Sequence, residues 1–345
     1  MPVSTLRKIV QKATTYLCGS VGKDHLWRDF SLDPGESDEW VSGYIGAILC
    51  ETDDSLAIFF AQDAWNVLGW RYINGKQGWG YSGKAIVDAD STIWCLNLAE
   101  ILGKGDHLVA ESAKKILQQH LTSDGGISTY TRNDISGMVL TEEIIKMRQG
   151  WLQAHNCVTA ASAGLKGVKT FTIPYLVEKQ QEPGHWKGYW WYDDEYATGF
   201  ATEAIACSQI DPRDKIIELA SSWVAAKLQS KGYISNKFFI DGSPFATALG
   251  LRVLLFSERS NPNTAMLKRG INWLLRQQMP NGSWLSSAIL RVPSPWVTDP
   301  DQYSEWEIGI KQPWGELCLD QNGLFTTATV LKTLVMYNNL FNTDE

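Results

Sequence analysis

The chain has 345 residues and a formal net charge of −7, with 44% hydrophobic and 20% charged residues. This is the composition of a folded globular protein, and an acidic chain without a basic run is not expected to bind nucleic acid. No Cys-x-x-Cys pair, no signal-peptide pattern and no membrane-length apolar run are present, so we expect a soluble, cytoplasmic protein. The 16 tryptophans indicate a lined cavity or a repeated structural wedge.

In chain order, six amphipathic segments carry their charges on one face, which is typical of helices that cover a core. They span residues 3–17, 55–69, 108–121, 170–181, 213–229 and 263–278. Between them lie six apolar segments, each opening with a short pattern that contains a Thr or Ser. Aligned on that residue, the patterns are DEWVSGY (38–44), DADSTIW (88–94), HNCVTAA (155–161), DEYATGF (194–200), SPFATAL (243–249) and GLFTTAT (323–329).

Twelve helices that alternate in this way predict an all-α fold, the α/α barrel, with an inner ring of six parallel helices inside an outer ring of six. A superhelical stack of helical hairpins is the alternative. We expect residues 1–345 to form a single barrel domain. Long loops at about 122–154, 182–193 and 285–322 are expected to cap it.

The position two residues before the shared Thr or Ser distinguishes Asp90 from its counterparts. The other five repeats carry Trp40, Cys157, Tyr196, Phe245 and Phe325 there. Asp90 is therefore expected to face the barrel centre, where loss of water raises the pKa of a carboxyl group and keeps it protonated. A helix N-terminus favours the anion that remains when the proton leaves. This combination suits a general acid.

The position four residues before the Thr or Ser holds residues typical of helix N-caps, among them Asp38, Asp88 and Asp194. In the repeat next to that of Asp90, His155 occupies this position. Two interpretations of His155 stay open: a hydrogen bond to Asp90 that strengthens the acid, or a cap that touches neither acid.

Aromatic residues recur at the starts of the inner helices, and as a group they are expected to line a pocket with electron-rich faces and to bind the substrate. They are Trp40, Tyr44, Trp94, Tyr196, Phe200, Phe245 and Phe325. The third capping loop adds Trp296, Trp314 and Arg291 as further substrate-binding candidates.

A second repeated motif supports the barrel and carries a resemblance. RGINWLLRQQMPNGSW (269–284) and YLVEKQQEPGHW (175–186) place a Gln at the end of an outer helix, a Gly in the turn and a Trp that packs back on the helix end. Partial copies occur at 74–79 and 227–233. This motif resembles the QW repeat of squalene–hopene and oxidosqualene cyclases.

The sequence DADS (88–91) resembles the D-x-D-D motif of class II terpene cyclases, whose middle Asp protonates an alkene or epoxide. The resemblance implies that Asp90 is the proton donor and Asp88 its partner, while Ser91 stands where the family has its last Asp. With repeats for one barrel, the chain looks like a single-domain class II cyclase.

That resemblance implies a hydrophobic substrate, a prenylated aromatic acid such as a geranylgeranyl-substituted dihydroxybenzoate, which is folded into a fused polycycle. No cofactor or metal is expected, since the chain lacks a D-D-x-x-D motif. Transient contact with a membrane surface during substrate pick-up stays open.

Three other functions use related barrels. A protein prenyltransferase β-subunit would hold Zn²⁺ with Asp, Cys and His, but His155 and Cys157 lie two residues apart on one helix and point away from each other. An α/α-barrel glycoside hydrolase would need a second acid, for which Asp38 and Asp194 are the candidates. A non-catalytic isoprenoid-binding barrel would have no use for an acid among aromatic residues.

Overall fold

The computed structural model describes residues 3–133, 146–257 and 264–341, and most of them are helical. In chain order the α-helices are α1 (Val3–Gly19), α2 (Glu39–Leu49), α3 (Ser55–Asn74), α4 (Ala89–Ile101), α5 (Leu108–Gln119), α6 (Gln149–Leu152), α7 (Asn156–Ser162), α8 (Lys169–Lys179), α9 (Glu195–Ala206), α10 (Arg213–Lys227), α11 (Pro244–Ser257), α12 (Thr264–Gln277) and α13 (Leu324–Phe341).

The apolar segments form a closed inner ring. Helices α2, α4, α7, α9, α11 and α13 pack each against the next, and α13 packs against α2. Every residue of α2 is buried, because both of its sides are covered. Gly43 lets α2 approach α4 closely, since an added Cβ would lie 2.8 Å from the backbone of Trp94 and Cys95. Ring closure is the feature that a stack of hairpins lacks.

The amphipathic segments cover this ring. Helices α1, α3, α5, α8, α10 and α12 each pack on an inner helix. Helix α3 runs to Asn74, beyond its predicted end at residue 69. Residue 263, the predicted start of the last outer helix, lies outside the described residues, as do residues 134–145 of the first capping loop.

The recurring Thr or Ser has a repeated structural role. Its hydroxyl bonds the backbone of the loop that precedes the inner helix, for example between Trp186 N and Thr198 Oγ1 at 3.1 Å and between Trp284 N and Thr327 Oγ1 at 3.2 Å. The indole N–H of the same Trp donates to the preceding outer helix, from Trp284 to Leu274 O at 2.7 Å. Each repeat is thereby tied together by hydrogen bonds that its own sequence supplies.

The Gln of the motif ties one repeat to the next. The amide of Gln180 donates to Ile216 O of α10 at 2.9 Å and to Gly184 O at 2.9 Å. Gln278 bonds Ile9 O of α1 in the same way at 2.9 Å, which links the end of the barrel to its beginning.

Two pairs of short strands, which an all-α prediction does not include, lie in the loop between α1 and α2 and in the third capping loop. Strand β1 (Asp29–Leu32) pairs with β2 (Gly35–Ser37), and β3 (Ile289–Pro293) pairs antiparallel with β4 (Gly315–Leu319), from Ile289↔Leu319 to Pro293↔Gly315. Trp191 adds an isolated bridge to Leu290. Among the described residues, no helix is long and apolar enough to span a membrane.

Candidate active site

A cavity of about 610 Å³ lies at the N-terminal ends of α2 and α4. Those ends contribute Trp40, Asp88, Asp90 and Ser91 to its wall. The rest of the wall comes from loops and from the β3–β4 hairpin, within segments 32–34, 81–86, 129–130, 151, 190, 290–295 and 311–316. All three capping loops therefore contribute to the roof.

Asp88 is the N-cap of α4, as predicted from its position. One carboxylate oxygen accepts the backbone N–H of Ser91 at 2.7 Å, and the other accepts the Ser91 hydroxyl at 2.8 Å. Burial raises the pKa of Asp88 to about 6, although the two hydrogen bonds from Ser91 favour the anion. At neutral pH the ionised form predominates, and Ser91 holds it in place.

Asp90 differs from Asp88 in its hydrogen bonding. Its Oδ1 is buried and has no hydrogen-bond partner among the described residues. Burial, followed by the negative charge of Asp88, raises the pKa of Asp90 well above its ordinary value, while the Trp40 indole favours the anion. The side chain as a whole is half-buried, because it also faces the cavity. Asp90 thus presents to the cavity a carboxyl group whose raised pKa favours the protonated form.

Two further polar atoms of the cavity wall lack a partner among the described residues. They are the hydroxyl of Tyr81 and the indole Nε1 of Trp40, both buried; the Trp40 indole favours the Asp90 anion but does not reach hydrogen-bond geometry with it. Buried polar groups are normally hydrogen-bonded, so a group without a partner needs an explanation. Three such atoms on one cavity wall, counting Asp90 Oδ1, indicate a place where a bound molecule supplies the partners.

His155 does not make the hydrogen bond to Asp90 that was one of its two interpretations. Its Nε2 lies 2.8 Å from Gly150 O and its Nδ1 lies 2.7 Å from Thr129 Oγ1. Since a carbonyl only accepts, the proton sits on Nε2. Burial lowers the pKa of His155 to about 3, so the imidazole is neutral.

His155 occupies the N-cap position of α7, as the alignment predicts, but its side chain makes no cap hydrogen bond. Asp38 and Asp194 likewise lie at the N-cap positions of α2 and α9 without a side-chain cap hydrogen bond. Asp38 instead accepts from Gly83 N and Arg71, and Asp194 accepts from Gly188 N at 2.8 Å. Neither acid lines the cavity.

Of the seven inner-helix aromatic residues expected to line the pocket, Trp40 does so. The other six are buried and outside the cavity wall: Tyr44, Trp94, Tyr196, Phe200, Phe245 and Phe325. They contact one another, with Tyr44 stacked on Phe325 at 3.9 Å between centroids and Trp94 donating to the Tyr196 hydroxyl at 3.1 Å. Five of the six inner helices bring these rings to one axis, where the rings themselves fill the space.

The candidates in the third loop also lie outside the cavity wall. Arg291 is buried and donates to Tyr189 O at 3.0 Å, to Gly188 O and to Asp301 Oδ1 at 2.9 Å, so it holds the loop before α9. Trp296 is half-exposed at 46%. Trp314 stacks on Tyr303 with centroids 5.2 Å apart. Their chain neighbours Pro295 and Gly315 line the cavity instead.

Four aromatic residues of the cavity were not predicted. They are Tyr81, Tyr130 and Trp190, which come from loops, and Trp151, which lies in the short helix α6. Tyr81 lies seven residues before Asp88 in the same loop, and this proximity to the acidic motif is the sequence signal that could have identified it. The other three belong to the first two capping loops, where no repeat marks individual positions.

Charged residues mark the rim of the cavity. Lys84 and Lys311 are exposed, and Lys311 pairs with Asp33 at 2.8 Å. Asp90 lies deeper. In the described ranges, no three His, Cys, Asp or Glu side chains are grouped so that they could hold a metal ion.

Comparison with known proteins gives a family match and several structural matches. Residues 157–292 match the family model of the squalene-hopene cyclase C-terminal domain. Two structures of type II terpene cyclase MstE from Scytonema are 34% identical, with a TM-score of 0.92, and the matches cover 98% of this chain and 99% of theirs. One holds geranylgeranyl dihydroxybenzoate as substrate and the other merosterolic acid A as product.

A protein from Actinoplanes is 33% identical, with a TM-score of 0.88, over 96% of this chain and 99% of that one. Comparison with curated protein sequences gave no match.

Proposed function

Since this chain belongs to the type II terpene cyclases, we propose that it protonates the terminal alkene of a prenylated aromatic acid and closes the chain into a fused polycycle. The resemblance carried by the QW repeats and the D-x-D motif is confirmed at the level of the family, and the α/α-barrel class with it. Because MstE binds geranylgeranyl dihydroxybenzoate, a substrate of that class is the one to test first.

The proposal depends chiefly on the state of Asp90. A protonated carboxyl whose Oδ1 has no protein partner among the described residues borders a cavity and can give its proton to an alkene carbon. The alkene π electrons form the new C–H bond, and the cation that results is attacked by the next double bond. A proton lost from carbon at the end balances the one supplied, so substrate and product are isomers.

Asp88 and Ser91 favour the protonated form of Asp90. The Asp88 carboxylate, held by the two hydrogen bonds from Ser91, opposes ionisation of Asp90 in the resting enzyme. The Trp40 indole acts in the opposite direction and favours the anion that remains after proton transfer. The Ser in this motif therefore has a structural role, because it fixes the neighbouring carboxylate.

The wall of the cavity suits a carbocation. Trp40, Tyr81, Trp151 and Trp190 present aromatic rings, whose faces attract positive charge. The polar head of the substrate belongs at the rim, where the exposed ammonium group of Lys84 attracts its carboxylate, while Lys311 is already paired with Asp33. This places the far end of the prenyl chain in the deeper part with Asp90.

His155 has a positioning role in this arrangement. The indole of Trp190 donates to Thr129 Oγ1 at 2.7 Å, and the Thr129 hydroxyl is then free to donate to Nδ1 of the neutral His155. The other ring nitrogen donates to Gly150 O, next to Trp151. His155 thereby fixes two aromatic residues of the cavity wall and does not itself carry the reacting proton.

The experiment is turnover of geranylgeranyl dihydroxybenzoate by the wild type and by Asp90→Asn, with isomeric products separated by chromatography and mass spectrometry. We expect the wild type to form a cyclic isomer and Asp90→Asn to lose at least the ~10²–10⁴-fold that one general acid supplies. Quenching of tryptophan fluorescence should show that the variant still binds the substrate.

The matched control is Asp241→Asn, which changes an exposed aspartate and should retain full turnover. A well-folded Asp90→Asn protein that cyclises the substrate at a rate comparable to the wild type would exclude Asp90 as the acid.

A further inference from the structure

Trp191 occupies the centre of the inner ring at the end that faces the cavity. It is 1% exposed and stacks on Tyr196 with centroids 4.5 Å apart and planes at 21°. Four more rings surround it, at centroid distances of 5.1, 5.2, 5.9 and 6.2 Å: Phe245, Phe325, Trp40 and Phe30. Trp191 thus contacts side chains from α2, α9, α11 and α13 at once.

The loop before α9 places Trp191 there. Its backbone pairs with β3, through Arg291 N to Trp190 O at 2.7 Å and Tyr192 N to Ile289 O at 3.1 Å. Successive side chains of an extended segment point to opposite sides. Trp190 therefore lines the cavity, while Trp191 enters the ring of inner helices.

Trp191 lies directly behind the cavity wall. Two of its contacts, Trp40 and Leu290, line the cavity, whereas Trp191 itself does not. On its other side the barrel axis is filled by rings such as Tyr44, which stacks on Phe325. The cavity consequently stops at Trp191 and does not continue between the inner helices.

We propose that Trp191 sets the depth of the cavity and, through it, the longest prenyl chain that the enzyme cyclises. This assignment rests on the proposed function, since it concerns the chain of the same substrate. An indole is larger than one isoprene unit, so a small side chain at position 191 leaves room for a chain extended by one unit. Because Trp191 belongs to a loop, its replacement creates this space without changing any residue of the inner helices.

The test compares Trp191→Ala with the wild type on farnesyl, geranylgeranyl and geranylfarnesyl dihydroxybenzoates. We expect the ratio of kcat/KM for the geranylfarnesyl over the geranylgeranyl substrate to rise at least about tenfold, because a single methylene in an apolar pocket is already worth roughly 10–200-fold. Trp191→Leu is a second variant that keeps more of the core volume and should shift the ratio in the same direction by less.

The matched control is Trp186→Phe, in the same loop. Trp186 is also fully buried, but its indole bonds Leu176 O at the end of α8 and it does not line the cavity. This control should lower thermal stability and leave the chain-length ratio unchanged. Folded Trp191 variants whose ratio matches that of the wild type would overturn the assignment.

A binding measurement separates this inference from the proposed function. The measurement is the dissociation constant of fully hydrogenated alkyl dihydroxybenzoates of the three chain lengths. Their binding requires neither protonation nor turnover. Even if no prenylated dihydroxybenzoate is turned over, the alkyl chain length that binds most tightly should be greater for Trp191→Ala than for the wild type. An unchanged optimum in this series refutes the role of Trp191, whatever the activity.

Discussion

The protonation state of Asp90 makes a quantitative prediction for stability. Burial and the charge of Asp88 raise the pKa of Asp90 well above its ordinary value in the folded protein, whereas a carboxyl in the unfolded chain ionises near ~3.9. Between these two values the folded state keeps a proton that the unfolded state has lost. Each pH unit in that interval lowers the free energy of unfolding by about 1.4 kcal/mol.

The sign follows from the raised pKa. The contribution of Asp90 to stability is fully present below about pH 4 and is lost as the pH rises towards its folded pKa. Asparagine has nearly the same shape and does not titrate. Asp90→Asn should therefore match the wild type near pH 4 and exceed its free energy of unfolding by an amount that grows with pH, by about 1.4 kcal/mol for each pH unit up to the folded pKa of Asp90.

The assay is urea unfolding of both proteins at successive pH values from about 4 upward, followed by tryptophan fluorescence and circular dichroism, whose transitions must coincide. The difference between the proteins should grow by about 1.4 kcal/mol per pH unit above the unfolded pKa and level off above the folded pKa of Asp90. The exposed Asp241→Asn variant should show no such slope. A difference that is independent of pH would mean that Asp90 is ionised in the folded protein, which refutes its assignment as a protonated acid.

Three further outcomes are expected. The charge of Asp88 raises the pKa of Asp90, so Asp88→Asn should move the alkaline limb of the pH–rate profile to lower pH, and a move to higher pH would contradict this coupling. His155→Phe leaves the carbonyl of Gly150 without its donor and should cost roughly 1–3 kcal/mol of stability. The profile should keep its shape in that variant, because the pKa of about 3 leaves the imidazole neutral; loss of a limb would instead show a proton-transfer role. Turnover should survive exhaustive EDTA treatment, because Asp90 supplies the initiating proton, and loss of activity that Zn²⁺ or Mg²⁺ restores would exclude this mechanism.

The barrel was predictable from the sequence because its architecture is repeated in local patterns. Each repeat carries the Thr or Ser that bonds its own loop, and several carry a Trp that bonds the preceding outer helix. The Trp and the outer-helix carbonyl that it bonds are 10 residues apart in the chain, so the spacing of this motif survives in the sequence. Comparison of equivalent positions then singled out Asp90, since a carboxyl among apolar counterparts is visible without a structure.

The lining of the cavity could not be predicted in the same way. Sequence comparison shows that Tyr196, Phe245 and Phe325 face the barrel axis, but it cannot show that Trp191, from a loop, fills the space between them. The walls come instead from loops that have no repeat and meet through long-range packing.

His155 shows why contacts between loops decide a side chain's role. Its position beside the helix of Asp90 follows from the repeat alignment, yet its partners are Thr129 and Gly150, from the first capping loop. A buried imidazole takes whichever donors and acceptors lie within hydrogen-bond reach, because leaving either nitrogen unpaired is costly. Which groups lie there depends on how the capping loop folds over the barrel, and only the tertiary structure determines that.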